Sequence, residues 1–326
     1  MQPDFEARYA SVREVGAGGR STVFRAFDTW RGHDVALRHE PSVPAQDALA
    51  LRAGLRHPSM PMVLGLARCR DGELCLVEEF VATEPLERAA QTSESSMRSF
   101  ARHLLGLLAY LHDHGIAHRD IKPDNIGHEN VGVTGLPVLL DFGFAERIDA
   151  ETTRRGSLGT VAPEVLAGVA DVRQADLYSL GVTMLTMLHG VEPDPEWSLD
   201  ARRLRPWIDR SPASLRALLE GLCASRRSRF RSAAEAIRSL PRASLATTSW
   251  TPVRSWPIAR AAYALVQECA VWLERSAATL CIHGAEGSGR HAFAEAVAAV
   301  HSARMGDAER EVFVQSVEQV DSTSFV

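Results

Sequence analysis

The sequence predicts an α+β protein with two lobes, in which a β-rich N-terminal half precedes a helical half and a small βαβ tail follows. Up to residue 80, short β-branched and apolar runs are broken by Gly, Asp and Pro, which is typical of strands. From residue 97 onward, apolar residues recur at helical spacing. Strands first and helices afterwards predict an α+β body.

Composition and charge fit a globular protein. The chain has 326 residues, 45% of them apolar, which is ample for a packed core and excludes a disordered or fibrous protein. Its 36 basic and 41 acidic residues give a net charge of −5, so we expect neither nucleic acid nor a membrane as a partner. Lys122 is the only lysine, and every other basic residue is an arginine.

The cysteines predict a reducing environment. Their number is odd, and none shows the CxxC or Cys/His spacing of a zinc site. The longest apolar stretches are too short for a membrane span, and the first residues lack the basic and apolar regions of a secretory signal. We therefore expect a cytoplasmic protein with reduced thiols and no disulfide. The five cysteines are Cys69, Cys75, Cys223, Cys269 and Cys281.

The individual elements follow from local patterns. A helix is predicted over residues 97–111 from its apolar spacing, with Gly115 as its C-terminal cap. Val138–Leu140 is predicted to be a short buried strand. Gln174–His189 is apolar nearly all round and is predicted to be a core helix that ends at Gly190. Five earlier strands are predicted at Val12–Val15, Val23–Phe27, Val35–Arg38, Met62–Leu66 and Leu74–Phe80.

The last quarter of the chain changes character. Residues 243–257 are rich in Ser, Thr and Pro, which predicts a linker. Residues 258–326 then read as a helical stretch, a strand at Thr279–His283, a Gly-rich turn, another helix and a strand near Val312–Val317. That is one βαβ unit, which is too small to stand as a complete α/β domain.

Four separated motifs follow one another along the chain, and their order is informative. Residues 118–125 read His-Arg-Asp-Ile-Lys-Pro-Asp-Asn, and Asp-Phe-Gly follows an apolar strand at 141–143. Gly-Thr at 159–160 precedes Ala-Pro-Glu at 162–164, and Asp176 opens the predicted core helix. Over residues 9–242 this order resembles the eukaryotic-like, Hanks-type Ser/Thr protein kinases of bacteria. The resemblance implies a bilobal protein-kinase fold with a β-rich N-lobe and an α-helical C-lobe.

The resemblance also implies a reaction, the transfer of a phosphoryl group from ATP with Mg²⁺ as the cofactor. Asp120 would accept the proton of the substrate hydroxyl, and Lys122 would lie beside the transferring phosphate. Asn125 and Asp141 would bind the metal. Thr160 matches the threonine that bridges the catalytic aspartate and lysine in this family. A lysine after His-Arg-Asp favours Ser or Thr substrates over Tyr.

A Gly-rich segment at residues 16–23 resembles the loop that covers the nucleotide phosphates. Ser21 stands where a third glycine is usual, and Gly19 beside it supplies flexibility. The resemblance implies further contacts with ATP along the strands and at the hinge between the lobes. The implied nucleotide-binding residues are Gly16, Gly18, Val23, Ala36, Arg38, Glu79, Val81 and Asp141.

Two structural links are also implied. Glu164 is expected to pair with Arg229, which would tie the activation segment to the late helices. Arg119 is expected to bind a phosphate on that segment, with Thr152, Thr153, Ser157 or Thr160 as the acceptor.

The chain departs from the family pattern at the nucleotide site. Arg38 occupies the position of the ATP-contacting lysine, although a planar guanidinium and a compact ammonium are not interchangeable. Ala48 stands where the partner glutamate is expected on the next helix, and Glu40 is one candidate replacement. Glu78 precedes the hinge, where an apolar residue is usual, and it requires a partner such as Arg38 because burial of an unpaired charge is costly.

The tail contains a second Gly-rich segment, at residues 284–291, between a predicted strand and a predicted helix. This context resembles the P-loop at the start of an AAA-type ATPase, whose backbone amides cradle phosphates. Arg290 replaces the usual lysine, and His291 replaces the hydroxyl that binds Mg²⁺. We interpret the segment as a non-hydrolysing remnant or a module that docks another protein.

The sequence therefore leaves two functions open. The leading prediction is a Ser/Thr protein kinase in bacterial signalling, and the alternative is a pseudokinase that acts as a nucleotide-binding or scaffolding switch. A small-molecule kinase fits less well, because a small substrate needs no docking segment. Since the chain uses Arg nearly everywhere, Arg38 and Arg290 reflect a coding bias as readily as a loss of function. Lys122 is the exception, and it favours activity.

Overall fold

A computed structural model describes most of the first 240 residues. The described ranges are 5–17, 21–41, 45–57, 59–69, 72–85, 94–129, 136–150, 154–168 and 171–240. The chain divides into two units, Met1–Ser244 and Leu245–Val326. The predicted linker and the predicted βαβ tail lie outside the described residues and stay predictions. Among the helices in these ranges, none is long and apolar enough to span a membrane.

The N-terminal half is an antiparallel sheet of five strands in the order β1-β2-β3-β5-β4. A short helix, α1 (Phe5–Arg8), precedes it. The five predicted strands are confirmed, with shifted ends, as β1 (Tyr9–Ala17), β2 (Thr22–Asp28), β3 (His33–His39), β4 (Val63–Arg68) and β5 (Leu74–Glu79). Apolar side chains from alternate positions form a small core on one face. That core contains Tyr9, Ala26, Val35, Leu37, Ala67, Cys75 and Val77.

Helix α2 (Ala45–Arg52) lies between β3 and β4. It has only 8 residues and no continuous apolar face, so most of its side chains are exposed or half-buried. Arg52 in its last turn is the exception, since it is buried. A buried arginine requires an acidic partner, and the partner lies in the candidate active site.

The C-terminal half is helical and has a larger core. Helix α3 (Glu94–Asp113) buries the predicted apolar stripe and is followed by Gly115 at φ 73°. Helix α5 (Val172–His189) is buried on nearly every side, as predicted, with Asp171 capping its start and Gly190 in the left-handed region at its end. The other helices are α4 (Pro163–Leu166), α6 (Arg205–Arg210), α7 (Ala213–Cys223) and α8 (Ala233–Ser239).

Short strands join the two halves and carry the loops of the site. Strand β6 (Thr83–Pro85) pairs with β8 (Ile126–Glu129), which pairs with β9 (Leu136–Leu139). Strand β7 (Ile116–Ala117) pairs with β10 (Glu146–Arg147). The strand predicted at Val138–Leu140 is therefore present but begins two residues earlier. This arrangement confirms the α+β, bilobal prediction for the described part of the chain.

One prediction about the cysteines is wrong. Cys69 and Cys75 form a disulfide with Cα atoms 6.3 Å apart. The β4–β5 hairpin brings them together, because Cys69 N donates to Glu73 O at 2.7 Å and closes the turn between the strands. Spacing rules for metal sites do not detect a pair joined by a hairpin. Cys223 is a free thiol, and burial raises its pKa to about 12. The remaining two cysteines lie outside the described residues.

Candidate active site

The loop at 118–122 is held by a buried carboxylate on α5. Asp176 accepts hydrogen bonds from the backbone N–H groups of His118 (2.9 Å) and Arg119 (2.7 Å) and from His112 Nε2 (3.0 Å). Arg119 has φ 69°, a left-handed conformation that costs roughly 1 kcal/mol for a residue with a side chain. The two backbone hydrogen bonds to Asp176 offset this cost and fix the direction in which the loop continues.

Acid should weaken this anchor. Burial alone would raise the pKa of Asp176, but His112, His118 and the backbone N–H of Arg119 outweigh it and hold the pKa below its ordinary value. The stabilisation is therefore present above the unfolded value of about 3.9 and is lost as the pH falls towards the folded value. We expect the free energy of unfolding to fall with pH below about 4. The free energy of unfolding, measured with urea at each pH, should have a shallower slope against pH in this range for Asp176→Asn than for the wild type. Asp113→Asn, at the exposed end of α3, should keep the wild-type slope. Equal slopes for Asp176→Asn and the wild type would contradict the anchor.

Asp120 lies at the centre of a dense polar group. Asn125 Nδ2 donates to the backbone oxygen of Asp120 at 2.7 Å and to its Oδ2 at 2.9 Å. Lys122 Nζ lies 3.0 Å from the same Oδ2. Ser157 Oγ donates to Asp120 Oδ1 at 2.6 Å. Three of the four predicted catalytic residues are thus brought together, with a carboxylate oriented by three neighbours.

The fourth predicted catalytic contact is wrong. Ser157, rather than Thr160, bridges the aspartate and the lysine, because Lys122 Nζ also donates to Ser157 Oγ at 2.9 Å. Thr160 is buried, and its hydroxyl donates to the backbone oxygen of Ser157 at 3.2 Å. The cause is a tight turn in which Val161 N also donates to Ser157 O at 2.9 Å. In the sequence only Val161 separates Gly159-Thr160 from Ala162-Pro163-Glu164, and this short spacing could have indicated that the register of the segment differs from the family's.

Because Ser157 rather than Thr160 forms the bridge, removal of the two hydroxyls should lower kcat to different extents. Ser157→Ala should lower kcat about tenfold with little change in KM for ATP, because the bridge to Asp120 is a hydrogen bond to a charged group. Thr160→Val keeps the shape and should lower kcat less. Steady-state kinetics of the two variants tests this. A larger loss in Thr160→Val would restore the bridging role to Thr160.

Asn125 and Asp141, the predicted metal ligands, lie on two segments that are joined by a backbone hydrogen bond. Leu140 N donates to Asn125 O at 2.8 Å, which joins the segments that carry the two side chains. Because the amide nitrogen of Asn125 donates to Asp120, its oxygen remains as the acceptor. Asp141 Oδ1 accepts from Gly143 N at 3.0 Å, and the carboxylate is partly exposed. Carboxylate and amide oxygens suit Mg²⁺, which takes few protein ligands when phosphates supply the rest. The residues therefore fit the predicted metal.

Within the described ranges, no group of three or more His, Cys, Asp or Glu could hold a metal ion by itself.

Phe142 fixes the segment that carries Asp141. Its ring is buried and contacts the His118 ring edge-on, with centroids 4.7 Å apart. The guanidinium carbon of Arg52 lies 4.2 Å from the centre of the same ring. Gly143 packs closely on Glu40, since a Cβ there would lie 2.7 Å from Glu40 Oε1. The Asp-Phe-Gly segment is therefore packed between the two halves of the chain.

The predicted nucleotide-binding residues line the sheet and the hinge. Val23 on β2 is opposite both Gly16 and Arg38, and Ala36 on β3 is buried opposite Glu78. Glu79 ends β5, and its N–H donates to Met62 O at 2.9 Å. Of the other three, Asp141 is described above, Val81 is half-buried, and Gly18 lies outside the described residues.

The predicted pairing of Arg38 with Glu78 is confirmed, at 3.0 Å from Nε to Oε2. The sequence did not indicate the second partner. Arg52 Nη1 donates to Glu78 Oε1, and both side chains are about 2% exposed. Burial alone would raise the pKa of Glu78, but the charges of Arg52 and Arg38 outweigh it and hold the pKa below its ordinary value. Glu40 contributes to the charge around Arg38, but the salt bridges of Arg38 join it to Glu78 and Asp141.

The two expected structural links have different outcomes. Glu164 pairs with Arg229, as predicted, and Arg229 Nη1 also donates to Gln174 O at 2.9 Å. Arg119 forms a salt bridge with Glu146 on β10. A carboxylate of the chain thus already lies against the arginine that was predicted to bind a phosphate. Two of the proposed acceptors, residues 152 and 153, lie outside the described ranges.

Comparison with known proteins covers the same region. The model of the protein kinase domain family matches residues 9–239. Serine/threonine-protein kinase PAK 1 of Mus musculus is 29% identical over 204 residues, which are 58% of this chain and 36% of that protein. Mitogen-activated protein kinase kinase kinase ANP1 of Arabidopsis thaliana is 35% identical over 163 residues, which are 47% of this chain and 23% of that protein. The matched region thus spans about a third of one relative and a quarter of the other.

Proposed function

Because the chain belongs to the protein kinase domain family, we propose that it transfers the γ-phosphoryl group of ATP to Ser or Thr hydroxyls of protein substrates. The observation that carries this proposal is the polar group around Asp120, in which Lys122, Asn125 and Ser157 all contact one carboxylate. A chain that had only kept the fold would not need these contacts. Both relatives are named as kinases, which supports the same class of reaction.

In this reaction the residues have separate tasks. Asp120 orients the attacking hydroxyl and accepts its proton, because its carboxylate is fixed by its neighbours. Lys122 lies 3.0 Å from that carboxylate and presents a compact positive charge to the phosphate. Asn125 and Asp141 would hold Mg²⁺, which would neutralise charge on the phosphate oxygens. Transfer proceeds by positioning and electrostatic stabilisation, without a covalent intermediate on the protein.

The second candidate is a pseudokinase that binds nucleotide and signals through protein contacts. One observation favours it: Arg38 Nη1 lies 3.3 Å from Asp141 Oδ1. This salt bridge competes with a metal ion for the carboxylate. The sequence-based proposals of bacterial signalling, a cytoplasmic location and a docking role for residues 258–326 stay predictions.

The single lysine offers a direct test. An acyl-phosphate derivative of ATP transfers its acyl group to a lysine near the phosphates, and the full chain has only Lys122. We expect peptide mapping to find the label on Lys122, with excess ATP preventing it. Transfer of labelled phosphate from ATP to a generic protein substrate is measured in parallel.

The outcomes separate the candidates. Labelling together with phosphate on Ser or Thr supports the kinase. ATP-sensitive labelling without transfer supports the nucleotide-binding pseudokinase. Absence of both contradicts each proposal and leaves a scaffold.

A further inference from the structure

Four departures from the family pattern meet in one network at the nucleotide side of the sheet. They are Ser21 in place of a glycine, Arg38 in place of the lysine, the glutamate that α2 lacks, and Glu78 before the hinge. In the structure, Arg38 contacts Ser21 and Glu78, and Glu78 contacts Arg52 on α2. Independent losses would not be expected to produce matched partners.

All three nitrogen atoms of the Arg38 guanidinium donate hydrogen bonds. Nε donates to Glu78 Oε2 at 3.0 Å, and Nη2 donates to the backbone oxygen of Leu140 at 3.0 Å. Nη1 donates to Ser21 Oγ at 3.1 Å and lies 3.3 Å from Asp141 Oδ1. One side chain therefore connects the Gly-rich loop, β5 and the segment before Phe142. A lysine has a single nitrogen and cannot bond in these separate directions.

Strand register explains how Glu78 reaches Arg38. On β3 and β5, Ala36 is opposite Glu78 and Arg38 is opposite Leu76. Residues two apart on a strand share a face, so Glu78 and Arg38 are diagonal neighbours on one face of the sheet. Moving the acidic partner from the helix to β5 therefore keeps it within reach of β3.

Arg52 fixes the other side of Glu78. It contacts the second carboxylate oxygen, and its Nη2 donates to Pro61 O at 2.9 Å. The carboxylate thus lies between an arginine on β3 and an arginine on α2, where the family has a lysine and a glutamate. Asp141, which lies 3.3 Å from Arg38 Nη1, is the second carboxylate of the network, so the two arginines are balanced by two acids.

We propose that Glu78 is a positioning residue that takes the place of the missing helix glutamate. By accepting from Nε, it directs the Nη groups of Arg38 toward Ser21 of the Gly-rich loop and Asp141, the side of the sheet on which the phosphates of the nucleotide would bind. This inference rests on the proposed function, because it assumes that ATP binds against the face of the sheet that carries Arg38. For Arg38→Lys, the expected result is the opposite of what the family pattern suggests. Arg38→Lys and Glu78→Gln should both weaken binding, although the first restores the family's residue.

The test is calorimetric titration of the full chain with ATP and, separately, with adenosine, which lacks phosphates. Arg38→Lys and Glu78→Gln should each raise the Kd for ATP by about tenfold or more, as expected for hydrogen bonds to charged groups, with the Kd for adenosine unchanged. The double variant should bind ATP about as weakly as Arg38→Lys alone, because both changes remove one interaction. Arg68→Lys, an exposed arginine on β4, is the control and should bind both ligands like the wild type.

Each other outcome overturns the inference. If ATP and adenosine binding fall in parallel, Glu78 has only a structural role. If Arg38→Lys binds ATP as tightly as the wild type, the guanidinium is not required. If the effects of the two single variants add, Glu78 does not act through Arg38. A wild-type chain that binds adenosine and ATP equally overturns the inference alone, whereas one that binds neither overturns the proposed function with it.

Discussion

Asp120→Asn should lower kcat for phosphate transfer by about 10³-fold, within the range expected for the loss of a general base, and should leave the Kd for ATP within about twofold. The amide keeps the size of the side chain, so the loop held by Asp176 stays in place. It cannot accept the hydroxyl proton, and its amide nitrogen would stand where one of the two carboxylate oxygens accepts hydrogen bonds. The measurement is single-turnover transfer with saturating ATP.

Asp124→Asn is the matched control, because Asp124 is an exposed carboxylate in the same loop. Its kcat should equal that of the wild type. Transfer by Asp120→Asn at the wild-type rate would show that the measured phosphate transfer does not use this site. A parallel loss of ATP binding would show instead that the substitution disturbs the loop.

The fold was predictable where a pattern repeats within one element. The five strands of the sheet and the helices α3 and α5 follow from alternation, helical spacing and terminal glycines, and their ends differ by a few residues. The disulfide was not predictable in this way. It depends on the turn between β4 and β5, which sets two cysteines six positions apart against each other.

Contacts in the site were predictable within a contiguous motif and at the long-range pairs Arg38–Glu78 and Glu164–Arg229. Asp120, Lys122 and Asn125 lie within one loop, so their proximity follows from their spacing. Ser157 and Arg52 lie on other segments, and only the tertiary structure shows which of several nearby hydroxyls and arginines makes the contact.

The network around Glu78 also changes how the arginine-rich composition is interpreted. A coding bias explains an arginine in place of a lysine at one position, but it does not explain an acidic residue on β5 that contacts it. Because Glu78 and Ser21 both bond to Arg38, the substitution has local compensation. This weakens the inference of lost activity from Arg38 alone.

Glu78→Leu should lower the free energy of unfolding by about 3–5 kcal/mol, since removing one member of a buried ion pair leaves the other charges unpaired. Arg52 would lose its salt bridge at about 2% exposure, and Arg38 would lose one of two. Arg52→Met should cost less, because Glu78 keeps Arg38 as a partner. Urea unfolding of the full chain measures each value.

The double variant Arg52→Met, Glu78→Leu decides whether the charges act as one unit. It removes the more buried of the two arginines together with Glu78 and fills their space with apolar side chains, so it should be more stable than Glu78→Leu alone by about 1 kcal/mol or more. Glu14→Leu makes the same chemical change on an exposed part of β1 and should have little effect. Costs that simply add in the double variant would mean that Arg52 and Glu78 contribute separately. A wild-type stability for Glu78→Leu would mean that the buried carboxylate is not needed to hold the two arginines.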